Sequence, residues 1–130
     1  MAAVLLVEDD ADTREVVRML LEEEGYSVVS ANDGQEAVVH LATCEHLPCL
    51  VLLDLQMPRV GGAAVLRWMR GQPRVANVPV AVISARPESK GIELATKFRE
   101  HVIDVLQKPF DIDRVLKLLG DHCEPEQPAA

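Results

Sequence analysis

Aromatic side chains are nearly missing from this 130-residue chain: two Phe, one Tyr and one Trp make up 3% of it. A core without rings has to be filled by Val, Leu, Ile and Ala, and a hydrophobic fraction of 48% is enough to do so. That composition suits a sheet covered on both faces, whose central strands are near-continuous aliphatic runs. Basic runs are missing too. With 13 Lys and Arg against 21 Asp and Glu the net charge is −8, so direct nucleic-acid binding, which needs a basic stripe, is not expected. Cysteine is sparse and odd in number (Cys44, Cys49, Cys123), which argues against a disulfide framework and for a reducing cytoplasm. No apolar stretch is long enough to span a bilayer. No basic region precedes the short apolar run near the N-terminus, so a signal peptide is not expected either.

What is present is a pattern of short aliphatic runs alternating with helical periodicity. Ala3 to Val7 is apolar and stops abruptly at Glu8-Asp9-Asp10, as a buried parallel strand does where it reaches a polar crevice. Asp12 and Glu15 have capping-box spacing, and Val16, Val17, Leu20 and Leu21 fall on one helical face before Gly25. Tyr26 to Ala31 reads as a second strand ended by Asn32-Asp33-Gly34, and Gln35 to Cys44 as a helix. Leu50 to Leu53 is a third strand that ends on Asp54, followed by Met57-Pro58 and Gly61-Gly62 and a helix carrying Val65, Leu66, Trp68 and Met69. Val78 to Ile83 ends on Ser84; 88–100 is a weaker helix with Ile92, Ala95 and Phe98 on one side; Asp104 to Leu106 is a short strand ending near Lys108-Pro109; and Asp111 caps a last helix. Five strand–helix units in strict alternation predict an α/β domain, a doubly wound five-stranded parallel sheet of order 2-1-3-4-5 with helices on both faces. Residues 1–122 form that domain, and 123–130, without apolar periodicity, read as a disordered tail or the start of a linker.

In such sheets ligands bind beyond the carboxyl ends of the strands, where the strand order reverses. Glu8, Asp9 and Asp10 from strand one and Asp54 from strand three meet at that point, with Ser84 and Lys108 on the same rim. Crowded carboxylates need a cation or raised pKa values to coexist. Mg²⁺ is the cation expected, held by Asp10 and Asp54, by Asp9 directly or through water, and by a backbone carbonyl from the following loop, that of Gln56. A carboxylate can also attack phosphorus, and Lys108 and Ser84 would then meet the charge on the transferred oxygens.

These residues resemble those of a known family, the response-regulator receiver domains of two-component signalling. The resemblance rests on Val-Glu-Asp-Asp at 7–10, Leu-Asp-Leu-Gln-Met-Pro with Gly61-Gly62 at 53–62, Ile-Ser-Ala at 83–85 and Lys-Pro-Phe at 108–110, and covers about residues 3–120. It implies Asp54 as phosphoacceptor, Asp9 and Asp10 as the Mg²⁺-binding acidic pair, Ser84 as the hydroxyl switch and Lys108 as the phosphate-binding lysine. It also implies a cis peptide bond before Pro109. A sensor histidine kinase or phosphotransfer protein would be the donor and a downstream effector the recipient of the signal; the domain would catalyse only its own phosphorylation and dephosphorylation. Two departures bear on output: Val105 stands where the family commonly has Tyr or Phe, and His101-Val102 where it often has Gly-Ala. A receiver-fold binding module that signals by contacts alone is the alternative. A metal site among His40, Cys44, His46 and Cys49 matches no common zinc spacing, and a helix end with incidental thiols is the simpler reading.

Overall fold

The computed structural model describes residues 3–57, 60–85, 92–109 and 111–125. The strands are β1 (Val4–Val7), β2 (Val28–Ala31), β3 (Leu50–Asp54), β4 (Val80–Ser84) and β5 (Val102–Gln107). The helices are α1 (Ala11–Glu23), α2 (Gly34–Thr43), α3 (Gly62–Arg70), α4 (Ile92–Lys97) and α5 (Ile112–His122), with a 3-10 turn at Pro73–Val75. All strands pair in parallel, in the order β2-β1-β3-β4-β5. The doubly wound architecture expected from the alternation is therefore the one observed.

The central strands are aliphatic throughout because both of their faces are covered. Alternate residues feed two separate cores. Leu5, Val7, Val51, Leu53, Val80 and Val82 pack against Ala37 and Leu41 of α2, Val65, Leu66 and Met69 of α3, and Leu94 and Phe98 at α4. Val4, Leu6, Leu50, Leu52, Ala81 and Ile83 pack against Val17 and Leu21 of α1 and Val115, Leu119 and Cys123 at α5. Burying each such side chain stabilises the fold by about 1.5–3 kcal/mol, so the sheet and the two helix layers hold the strand ends rigidly.

Local signals set most helix starts. Asp33 Oδ1 accepts the Glu36 N–H, while Glu36 Oε1 accepts the Asn32 N–H, a reciprocal cap at the start of α2. Asp111 accepts the N–H groups of Asp113 and Arg114. At α1 the cap is Asp10 rather than Asp12: Asp10 is extended and accepts the Thr13 N–H, so the helix starts two residues earlier than the Asp12–Glu15 spacing suggests. Gly25, at φ 92°, takes the left-handed conformation that ends α1. In α4 the buried residue is Leu94, with Phe98 just beyond the helix, while Ile92, expected on the same face, is exposed; residues 88–91 of the expected helix lie outside those described. His101 is buried, its Nδ1 3.2 Å from the Val78 carbonyl, so the residue standing in the family's glycine place ties the start of β5 to the approach to β4.

Cysteine usage differs from the sequence expectation. Cys49 and Cys123 are disulfide-bonded, with Cα atoms 5.4 Å apart across 74 positions of sequence, and Cys44 is free. Cys123 is buried, so the first residue of the expected tail belongs to the packed domain; residues 126–130 lie outside those described. Among the described residues no helix is long and apolar enough to cross a membrane.

One backbone contact decides how the loop after β3 is held. The Gly34 N–H donates to the Val60 carbonyl at 3.1 Å. A Cβ on Gly34 would meet that oxygen at 2.3 Å and Val60 Cγ1 at 2.8 Å. Gly34→Ala should destabilise the protein by about 1–3 kcal/mol, because backbone rather than a flexible side chain must move; a urea midpoint equal to wild type would show that the loop yields freely.

Candidate functional site at the strand ends

The carboxyl ends of four strands converge on one pocket. β1 runs directly into Glu8, whose N–H donates to the Ala31 carbonyl at 3.1 Å. β3 ends on Asp54 and β4 on Ser84, and both residues are buried. The Leu55 N–H donates to Ile83 O at 2.9 Å and the Lys108 N–H to Ser84 O at 3.0 Å, so the ends of β3, β4 and β5 are held level. Between Val80↔Val102 and Ala81↔Asp104 the register shifts by one residue. This bulge leaves Ile103 as the extra, exposed residue and places Gln107 opposite Ser84, with Lys108 next at the pocket edge. The peptide bond between Lys108 and Pro109 is cis, as the resemblance implies.

Charge is concentrated here with little water. Asp54 is 0% and Glu8 1% exposed, and a single ammonium serves both: Lys108 Nζ lies 2.9 Å from Asp54 Oδ2 and 3.0 Å from Glu8 Oε1. Asp54 Oδ1 accepts the Gln56 N–H at 2.9 Å and Glu8 Oε2 the Asp10 N–H at 3.2 Å. Glu8 Oε1 has the ion pair but no aligned hydrogen bond, an under-satisfied buried oxygen. Burial first, then the adjacent Asp54 by hydrogen bonding and charge, pushes the Glu8 carboxyl up to about 7, against the opposing pull of Lys108 and the Asp10 N–H. Burial works to lower the Lys108 pKa, but the contacts with Asp54 and Glu8 outweigh it and raise it. Two buried carboxyls sharing one ammonium leave room for one more positive charge.

Ligating oxygens of Glu8, Asp9 and Asp54 lie within 4.8 Å of one another, and among the described residues no other such group occurs. Asp9 and Asp54 thus come together. Asp10 does not join them. Its exposed carboxylate faces α1, accepting from the backbone and hydroxyl of Thr13, and those bonds hold its pKa below the usual carboxylate range. Glu8, placed on the rim from sequence but not among the ligands, takes that position instead. The available signal was position alone: Glu8 continues the extended backbone of β1, whereas Asp10 stands where helices favour an Asp cap. Arg14 holds the turn between them, donating from Nη1 to the Glu8 carbonyl at 2.8 Å. The Gln56 side chain accepts the Ala85 N–H at 3.2 Å, tying the loop after Asp54 to the loop after Ser84. His40, Cys44, His46 and Cys49 do not gather as ligands; Cys49 is bonded to Cys123, and Cys44 contacts Arg74.

A five-stranded doubly wound sheet thus carries an acidic cluster and a lysine at its switch point. The chain belongs to the response regulator receiver domain family, whose pattern matches residues 4–120. It is 40% identical over 133 residues to the transcriptional regulatory protein CpxR homolog of Haemophilus influenzae, covering 96% of this chain and 53% of that protein, so it spans about half the length of that relative. To the polar-differentiation response regulator DivK of Brucella anthropi it is 35% identical, covering 92% of this chain and 94% of that one. Among solved structures it is similar to the receiver domain of a sensor histidine kinase from Pseudomonas aeruginosa, described with a magnesium ion in its active-site cleft. There the TM-score is 0.81 at 26% identity, over 93% of this chain and 96% of that one.

The raised Glu8 pKa has a thermodynamic consequence. Between its ordinary value of 4.5 and about 7 the folded state binds more protons than the unfolded one, so this group makes stability fall as pH rises through that window. His40, whose pKa burial lowers, contributes in the opposite direction and cancels when two variants are compared. Without metal, the stability of wild type relative to Glu8→Gln should drop by on the order of 1 kcal/mol or more from pH 5 to pH 8 in urea titrations. A pH-independent difference would place the Glu8 carboxyl in an ordinary, solvated environment.

Proposed function

We propose that this receiver accepts a phosphoryl group on Asp54 in a Mg²⁺-dependent reaction and signals by the resulting change of shape. The observation that carries the reading is the buried Asp54 carboxylate, 2.9 Å from Lys108 Nζ and within ligating reach of Glu8 and Asp9. An Asp54 oxygen would attack phosphorus of a phosphorylated imidazole; the new P–O bond forms as the P–N bond breaks, and the imidazole leaves with a proton from solvent. Lys108, held beside Asp54, would meet the charge on one equatorial oxygen, and the Ser84 hydroxyl another. Glu8, Asp9 and Asp54 would hold Mg²⁺, with the Gln56 backbone carbonyl as a further oxygen; the under-satisfied Glu8 oxygen and the all-oxygen donor set fit that ion. Bound there, Mg²⁺ supplies the positive charge the pocket lacks.

A sensor histidine kinase or phosphotransfer protein is the donor in this reading, an effector protein or domain the recipient, and the cytoplasm the location. Beyond its own phosphorylation and dephosphorylation the domain catalyses nothing. The alternative, a module that signals by contacts with little phosphorylation-driven switching, draws on Val105. That side chain is half-buried against the core on the α4 side and is stiff at χ1, so no ring is available to swing inward with Ser84.

Incubation with acetyl phosphate and Mg²⁺ should give a species about 80 Da heavier, absent in Asp54→Ala. Equal labelling of Asp54→Ala would move the phosphoacceptor elsewhere. The ligand set is tested separately by melting with and without Mg²⁺. Glu8→Gln and Asp9→Asn should lose most of the Mg²⁺-induced increase. Asp10→Ala should keep it while melting roughly 2–5 °C lower through loss of the α1 cap. Loss of the Mg²⁺ response in Asp10→Ala alone would restore Asp10 to the metal site.

A further inference from the structure

The disulfide lies at the opposite end of the sheet from Asp54. Cys49 immediately precedes Leu50, the first residue of β3, and Asp54 is the last, so roughly 15 Å of strand separates bond and pocket. The Cys49 N–H donates to the Ala3 carbonyl at 3.1 Å, which fixes Cys49 at the foot of β1 and β3. Cys123 is the C-cap of α5, 7% exposed, and packs in the core that α1 and α5 form on the sheet.

Two features of its surroundings bear on thiol exchange. Cys49 is half-buried, so a small thiolate can approach the bond from that side, while the buried Cys123 sulfur departs as the leaving group. The core beneath α5 is already occupied by Val115 and Leu119, at 1% and 0% exposure, so the bond adds a constraint only to the last turn of the helix. Cys44, also half-buried, has its Sγ 3.5 Å from Arg74 Nη2 and stands outside the pair.

We propose that Cys49 and Cys123 form a thiol–disulfide modification site whose co-substrate is a low-molecular-weight disulfide of the oxidised-glutathione class. Its two states fix or free the last turn of α5. On oxidation the Cys49 thiolate attacks the small disulfide, forming a mixed disulfide and expelling one small thiolate. The Cys123 thiolate then attacks the Cys49 sulfur and expels the second. Two electrons and two protons pass from the cysteines to the co-substrate, which leaves as two thiols. Reduction runs the same steps backward, with first attack at Cys49.

The test equilibrates the full chain in glutathione buffers from fully reduced to fully oxidised, blocks free thiols, and reads intact mass, amide exchange and melting. After blocking, the reduced form should carry the blocking group on all three cysteines and the oxidised form on Cys44 alone. Reduction should speed exchange at least about tenfold at residues 116–123 and lower the melting temperature by roughly 10 °C, while β3 and β4 stay protected. Cys49→Ser should show the reduced pattern in oxidising buffer, and Cys44→Ser should behave as wild type. The proposal is overturned if the bond forms in none of the buffers or persists in all of them. Equal exchange at 116–123 in both states, or loss of protection across the whole sheet on reduction, also overturns it.

Discussion

Lys108 Nζ sits 2.9 and 3.0 Å from two carboxylates that are almost completely withdrawn from water, and the arrangement of the strand ends follows from that contact. Each buried carboxylate forfeits several kcal/mol of hydration, and one ammonium compensates for only one of them. The imbalance is expressed in the raised Glu8 pKa. It is also what gives the pocket its chemistry: a proton or a cation completes the charge balance. Replacing both acids with aliphatic residues would be expected to stabilise the apo fold and remove the site.

Holding those three groups together requires a scaffold that does not relax. β3 is buried at every position and is flanked by β1 and β4, so Asp54 cannot retreat toward solvent without pulling Leu50 to Leu53 out of two cores. The bulge in β5 sets the phase at which Lys108 arrives. On the far side of the pocket, Gln56 links the Asp54 carboxylate, which accepts its N–H, to Ala85, whose N–H its side chain accepts.

The two ends of the sheet are specialised differently. The carboxyl ends carry the buried charge, whereas the opposite end carries the Cys49–Cys123 bond between the foot of β3 and the end of α5. α1 and α5 share one aliphatic core on the sheet, and β3 runs from Cys49 at one end to Asp54 at the other. A modification at one end can leave the chemistry at the other intact.

The order of strands, the layers and the polar rim were legible because they depend on local pattern: aliphatic runs that stop on Asp54 and Ser84, and caps such as Asp33 and Asp111 beside helical periodicity. The places of Asp54, Ser84 and Lys108 follow from that pattern, since each directly ends or follows a strand. Which acids of Glu8-Asp9-Asp10 turn inward did not follow, because residue type is the same on both sides of the strand–helix boundary; only the start of α1 at Ala11 commits Asp10 to the cap and Glu8 to the pocket. The cysteine pairing was equally hidden. Two thiols 74 positions apart carry no mutual signal in the chain, and only the packing of α5 against β3 brings their Cα atoms to 5.4 Å. Sequence determined what is periodic or adjacent along the backbone; tertiary structure decided what depends on distance through space.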